Sequence, residues 1–161
     1  MAPLSPLLPV AACAALWLGW CVVVGALANQ LPQPWLTTCP PDPAGPSGWI
    51  PLAVYERWLG IRAWKRWIPD AGAALPGGIR KASLARRDPG ALQRLIVETR
   101  RAELVHWAIW PAWLATALWL PPRGVLLNLL FATLFNLPCL LLQRYTRQRL
   151  QLCLRRLTTT P

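Results

Sequence analysis

The sequence predicts an all-α integral membrane protein with about three transmembrane helices and an interfacial amphipathic or loop segment between the first and the second. Three observations carry this. Of 161 residues, 55% are hydrophobic and 14% charged, yet the formal net charge is +11, a combination foreign to soluble domains of this size. Three apolar runs, residues 10–28, 104–120 and 124–142, approach the roughly 20 residues with which a helix crosses the hydrocarbon core. The cations avoid those runs: eleven of the seventeen Lys and Arg fall within residues 29–103, five follow Leu142, and Arg123 stands between the second run and the third. The boundaries expected from these shifts are an N-terminal transmembrane helix or uncleaved signal anchor at 1–28, a basic and aromatic segment at 29–97, and a helical hairpin with a basic tail at 98–161.

The first run ends in "GALANQ", where Ala26 and Ala28 form the A-x-A pattern of a signal-peptide cleavage site. The first 16 residues hold no Lys or Arg, so the cationic start of such a peptide is missing and an uncleaved anchor is expected. Next, "LPQPWLTTCPPDPAGPSGWIP" at 31–51 is rich in Pro and Gly, which removes helix donors and favours extended turns. It reads as a linker of irregular backbone.

In "LAVYERWLGIRAWKRWIPDAG" at 52–72, Trp58, Trp64 and Trp67 alternate with Arg57, Arg62, Lys65 and Arg66 over two helical segments. Indole rings and snorkelling cations suit the headgroup zone of a membrane. Similar interleaving serves single-stranded nucleic acid, but beside membrane spans no nucleic-acid partner is expected. A loop follows at 76–90. Asp88 as N-cap and Pro89 at the first position then start a helix that runs into the second span. His106 and Pro111 interrupt that span, which should tilt, kink or sit partly embedded.

The five cysteines, Cys13, Cys21, Cys39, Cys139 and Cys153, are odd in number and without a C-x-x-C pair, so they read as packing residues. If the second and third spans form a hairpin, the middle segment and the tail share one side, and the positive-inside rule makes it cytoplasmic. The short tail, with Arg144, Arg147, Arg149, Arg155 and Arg156, is the better guide, since the rule fades for long loops. The expected protein is a multi-pass one of the cell membrane with its active site facing the cytoplasm.

Chemistry concentrates at two places. On a helix, Thr99, Glu103 and His106 lie at roughly 0°, 40° and −20°, so Glu103 and the chain's one histidine can meet at the lipid boundary. A carboxylate-held imidazole is a usual general base. Equally open is a plain structural reading, in which His106 hydrogen-bonds within the bundle and Glu103 pairs with Arg100 or Arg101. A di-iron centre would need a second Glu-x-x-His and more carboxylates, so no metal is expected. On the third span, Asn136, Gln143 and Arg147 lie at roughly 0°, −20° and 20°, and Pro138 frees a carbonyl near Leu134 for the Asn136 amide. Asn136 serves equally as helix-helix glue. Antiparallel spans would bring Glu103 and His106 toward Asn136, Gln143 and Arg144. Phosphate loops and serine nucleophile motifs are missing.

Three blocks, "IRAWKRWIPDAG" at 61–72, "IVETRRAELVHW" at 96–107 and "NLPCLLLQRYTRQRL" at 136–150, resemble the glycosyl-4,4'-diaponeurosporenoate acyltransferases of staphyloxanthin-type carotenoid synthesis. Thr146 and Gln148 depart from the asparagine and proline usual in that family. The resemblance implies transfer of a fatty acyl group from acyl-CoA or acyl carrier protein to a sugar hydroxyl of a glycosylated carotenoid or glycolipid in membrane lipid, without a further cofactor. His106 would be the base, Glu103 would orient it, and Asn136 or Gln143 would donate to the oxyanion. Substrate-binding roles are implied for Glu98, Arg101, Gln143, Arg144, Arg147, Arg62, Trp64, Lys65 and Asp70, with the cations holding donor phosphates. The competing expectation is a non-catalytic membrane module that assembles with a partner or binds anionic lipid through "YERWLGIRAWKRW".

Overall fold

The computed structural model describes residues 7–37, 50–68 and 88–159. Among them every regular element is helical: α1 (Leu7–Asn29), α2 (Gln33–Thr37), α3 (Leu52–Arg57), α4 (Ile61–Trp64) continued by a 3-10 turn (Lys65–Trp67), α5 (Pro89–Ile109) continued by a 3-10 segment (Trp110–Leu118), and α6 (Pro122–Thr159). The chain divides into two compact units, each built from two stretches: residues 1–31 with 104–138, and residues 32–103 with 139–161.

The first unit holds most of the exposed large apolar side chains. Among the described residues two helices, α1 and α6, are long and apolar enough to cross a membrane. At 1.5 Å per residue α1 reaches about 35 Å, against a hydrocarbon core of about 30 Å. It is apolar on every side, and Leu18 and Val22 are each 71% exposed, the pattern of a helix that needs an apolar solvent. The expected second span does not form one long α-helix. Its α-helical part ends at Ile109 and the chain continues as a nine-residue 3-10 segment. Pro111 has no N–H for the carbonyl of Trp107, and its ring crowds that turn.

Indole donors tie α1 into this unit. Trp17 Nε1 donates to Asn128 Oδ1 at 3.0 Å, and its ring meets Phe131 edge-on at 5.2 Å. Trp20 Nε1 donates to the Ala108 carbonyl at 3.0 Å. Asn128 in turn donates to the Gly124 carbonyl at 3.0 Å. In an apolar setting each of these groups needs a partner, so the bonds fix which side of α1 faces α5 and α6.

The second unit packs two small cores. Tyr55, Ile61, Leu142 and Tyr145 form one, with Trp64 and Ile68 against it; Leu92, Leu95 and Leu150 form the other. Gly60, at φ 54°, separates α3 from α4, a left-handed position that favours glycine. The helix start expected at Asp88 is present: Asp88 Oδ2 accepts the Ala91 N–H at 3.0 Å, and Pro89 occupies the first helical position. Asp88→Ala should therefore destabilise the second unit by about 1 kcal/mol, read as a lower denaturation midpoint in tryptophan fluorescence. Asp88→Ser should restore most of the loss.

The linker expected to be irregular begins with a helical turn, α2, because Pro34 falls in the first turn, where no N–H is required. The rest of that linker from 38 to 49, with Cys39, and the expected loop up to residue 87 lie outside the described residues. The four described cysteines, Cys13, Cys21, Cys139 and Cys153, form no disulfide among the described residues.

Candidate active site

In the first unit, His106 on α5 and Asn136 on α6 meet. Asn136 is buried at 4% exposure, and its Nδ2 donates to the Ala132 carbonyl one turn back at 2.9 Å. That bond turns Oδ1 toward His106 Nδ1, 3.0 Å away. An amide oxygen only accepts, so Nδ1 carries the hydrogen, and the lone pair of the neutral ring lies on Nε2. His106 is half-buried, and Nε2 has no hydrogen-bond partner among the described residues. The carbonyl that Asn136 uses is that of Ala132, not the one near Leu134 that Pro138 frees. Close by in the same unit, Trp110 Nε1 donates to Thr133 Oγ1 at 3.2 Å, and Thr133 donates to the Leu129 carbonyl at 2.8 Å.

In the second unit, Glu103 holds two arginines. Its Oε1 takes Arg144 Nε at 2.6 Å and its Oε2 takes Arg147 Nη2 at 2.6 Å. Arg144 and Arg147 lie at i and i+3 on α6, so one carboxylate reaches both. Burial disfavours the ionised Glu103, but hydrogen bonds and charge from Arg144 and Arg147 outweigh it and hold the carboxyl below the ordinary carboxylate range. Arg147 is 8% exposed, and its Nη1 is buried with no hydrogen-bond partner.

Glu98 and Arg101 pair with each other at 2.9 Å, so Arg101 is turned away from the Glu103 pairing considered from sequence. Gln143 is half-buried on α6. Trp64 Nε1 closes the α3–α4 turn on the Leu59 carbonyl at 2.8 Å. Asp70 lies outside the described residues. Among those residues, no three His, Cys, Asp or Glu side chains gather as metal ligands would.

Sequence reasoning missed Glu56, Tyr145 and Arg149. The Tyr145 hydroxyl donates to Glu56 Oε1 at 3.0 Å, a contact 89 positions apart that no local pattern announces. Only the i, i+4 spacing of Tyr145 and Arg149 on α6 was visible in the sequence.

These features define a class: a chain helical in every regular element among the described residues, with two membrane-length apolar helices and one imidazole held in a single tautomer. The family follows from comparison, because the sequence profile described as glycosyl-4,4'-diaponeurosporenoate acyltransferase matches residues 46–156, and the chain belongs to that family. It is 32% identical over 103 residues to proteins of that name from Staphylococcus aureus strains USA300 and NCTC 8325 / PS 47, an alignment covering 63% of this chain and 61% of theirs. The same figures hold for the protein of strain bovine RF122 / ET3-1. The chain thus spans 61% of the length of the curated relatives it matches. No solved structure matches it.

Proposed function

We propose that this protein is a membrane-bound O-acyltransferase that moves a fatty acyl group from an activated donor to a sugar hydroxyl of a glycosylated carotenoid or related glycolipid. Family membership supplies the reaction class, and the relatives' name supplies the acceptor class. The observation that carries the chemistry is the hydrogen bond between His106 Nδ1 and Asn136 Oδ1, which leaves Nε2 as the proton-accepting nitrogen.

In this reading the acceptor hydroxyl donates its hydrogen bond to His106 Nε2. As its oxygen bonds to the thioester carbonyl carbon of acyl-CoA or acyl carrier protein, the proton passes to Nε2. The tetrahedral oxyanion then collapses, the carbon–sulfur bond breaks, and the departing thiolate takes the proton back from the imidazolium. No covalent enzyme intermediate is needed. Asn136 Oδ1, on the Nδ1 edge of the ring away from the reacting Nε2, holds the tautomer and stabilises the charged ring. Helices α1 and α6 cross the membrane, the stretch 104–120 is embedded as a third segment, and the basic end of α6 faces the cytoplasm.

The test is mass spectrometry of pigments and lipids from a host that supplies glycosylated carotenoid, with and without this protein. A fatty-acyl mass added only in its presence is the expected result. An unchanged acceptor, with the protein present in the membrane fraction, would overturn the reading.

A further inference from the structure

Within the second unit, the segment 50–68 and the C-terminal part of α6 bring three cations round one phenol. Tyr145 is 2% exposed, and its hydroxyl donates to Glu56 Oε1 at 3.0 Å. The same oxygen takes Arg62 Nη2 at 2.9 Å. Arg149 Cζ stands 5.8 Å from the centre of the Tyr145 ring, with Nη1 3.4 Å from the phenol oxygen. Lys65 Nζ stands 5.9 Å from the same ring centre. Each cationic group is therefore within 6 Å of either the ring centre or the hydroxyl of one tyrosine.

Charge is left over in this arrangement. Arg62 answers Glu56, while Lys65 and Arg149 have no carboxylate partner among the described residues. Attraction to the ring face holds both cations near it but neutralises neither. Arg62 and Arg149 are exposed and Lys65 half-buried, so water screens their repulsion in part, and an anion seated among them would relieve more of it. The two guanidiniums offer flat forks of donors and the ammonium a compact point charge, a set suited to phosphate oxygens. A phosphate group carries one negative charge as a diester and close to two as a monoester, and it presents more acceptor oxygens to the cations than a carboxylate does. The Arg62 side chain is 65% exposed, so the basin opens to an incoming group.

We propose that Arg62, Lys65 and Arg149, arrayed about Tyr145, form a binding site for a phosphate group, carried either by a lipid headgroup or by a soluble phosphate ester. The site is separate from the His106–Asn136 pair; its soluble-ester arm rests on the proposed acyl transfer, whose donor would carry that phosphate, and its lipid arm does not.

Isothermal titration of the detergent-purified full chain tests it with three probes: phosphatidylglycerol in mixed micelles, coenzyme A, and inorganic phosphate. Micelles with uncharged diacylglycerol are the control. At least one phosphate-bearing probe should bind, and the double variant Lys65→Gln with Arg149→Gln should bind it at least tenfold more weakly. Binding of phosphatidylglycerol alone assigns the lipid headgroup, binding of coenzyme A alone assigns a soluble ester, and binding of inorganic phosphate as well shows that the phosphate itself is read. No binding above the control, or equal binding by the double variant, overturns the proposal. If the double variant does not fold, Lys65→Gln alone should still weaken binding severalfold, and the wild-type affinity should fall as salt rises; a salt-independent affinity overturns it equally. Coenzyme A also binds as the leaving group of the proposed transfer, so only binding that the double variant loses counts toward this site, and the phosphatidylglycerol and inorganic phosphate arms stand apart from the transfer experiment.

Discussion

If His106 is the general base of the proposed transfer, His106→Ala should lower acyl transfer by about a hundredfold to ten-thousandfold, the range that a positioned general base supplies. Product is measured by mass spectrometry of the pigments, at matched protein level in the membrane fraction. The size of the effect follows from the tautomer. With Asn136 Oδ1 accepting from Nδ1 at 3.0 Å, Nε2 is unprotonated before the hydroxyl arrives, and the chain has no second histidine to replace it. Alanine also strips the buried Asn136 oxygen of its donor, so a loss of protein could imitate a loss of chemistry. Asn136→Leu separates the two. It keeps the imidazole but releases the proton to either ring nitrogen, so its rate should fall between wild type and His106→Ala. Full turnover by His106→Ala at normal abundance would remove this residue from the reaction.

The helical class and the positions of α1, α5 and α6 are legible because they rest on local chemistry: unbroken apolar runs, an Asp-Pro start and a proline-poor third run. The 3-10 segment is only half legible. Pro111 announces a break, but whether the chain bends or tightens there depends on tertiary packing, in which Ala112 and Thr116 of this segment are buried. The candidate site divides in the same way. Helical spacing puts Glu103 and His106 on one stripe of α5, yet spacing within a helix does not reveal which neighbouring helix supplies the better partner. The Nδ1 of His106 goes to Asn136, 30 positions away, and both oxygens of Glu103 go to arginines of α6. An ionised carboxylate gains more from two guanidiniums than from one neutral ring, a preference that could be weighed only once the pairing of α5 with α6 was known. The cluster round Tyr145 was least legible, because Glu56 and Lys65 reach it across 80 or more positions.

Glu103→Ala should destabilise the fold by about 3 kcal/mol, the lower end of what breaking a buried ion pair costs, measured by thermal or denaturant unfolding in detergent. The carboxylate is 11% exposed and bridges Arg144 and Arg147. Its removal leaves Arg147, itself buried and with Nη1 already unpartnered, without its counter-charge. Arg144 has a third of its side chain exposed and keeps access to water, so Arg144→Ala should cost less than Arg147→Ala. Replacing both members, Glu103→Leu with Arg147→Leu, should recover part of the loss, because the penalty lies in the orphaned charge and not in the absent pair. The effect carries a pH signature. Glu103 is held below its ordinary value of 4.5 in the folded chain, so its contribution is fully present above that value and drains away as pH falls through the lower folded one. Wild type should therefore lose part of its advantage over Glu103→Ala as pH falls below about 4.5, the part that the ionised carboxylate supplies. A gap that stays constant down to pH 3 would mean that the variant is weakened by lost packing, and the carboxylate–diarginine clamp would have to be given up as the source of the stability.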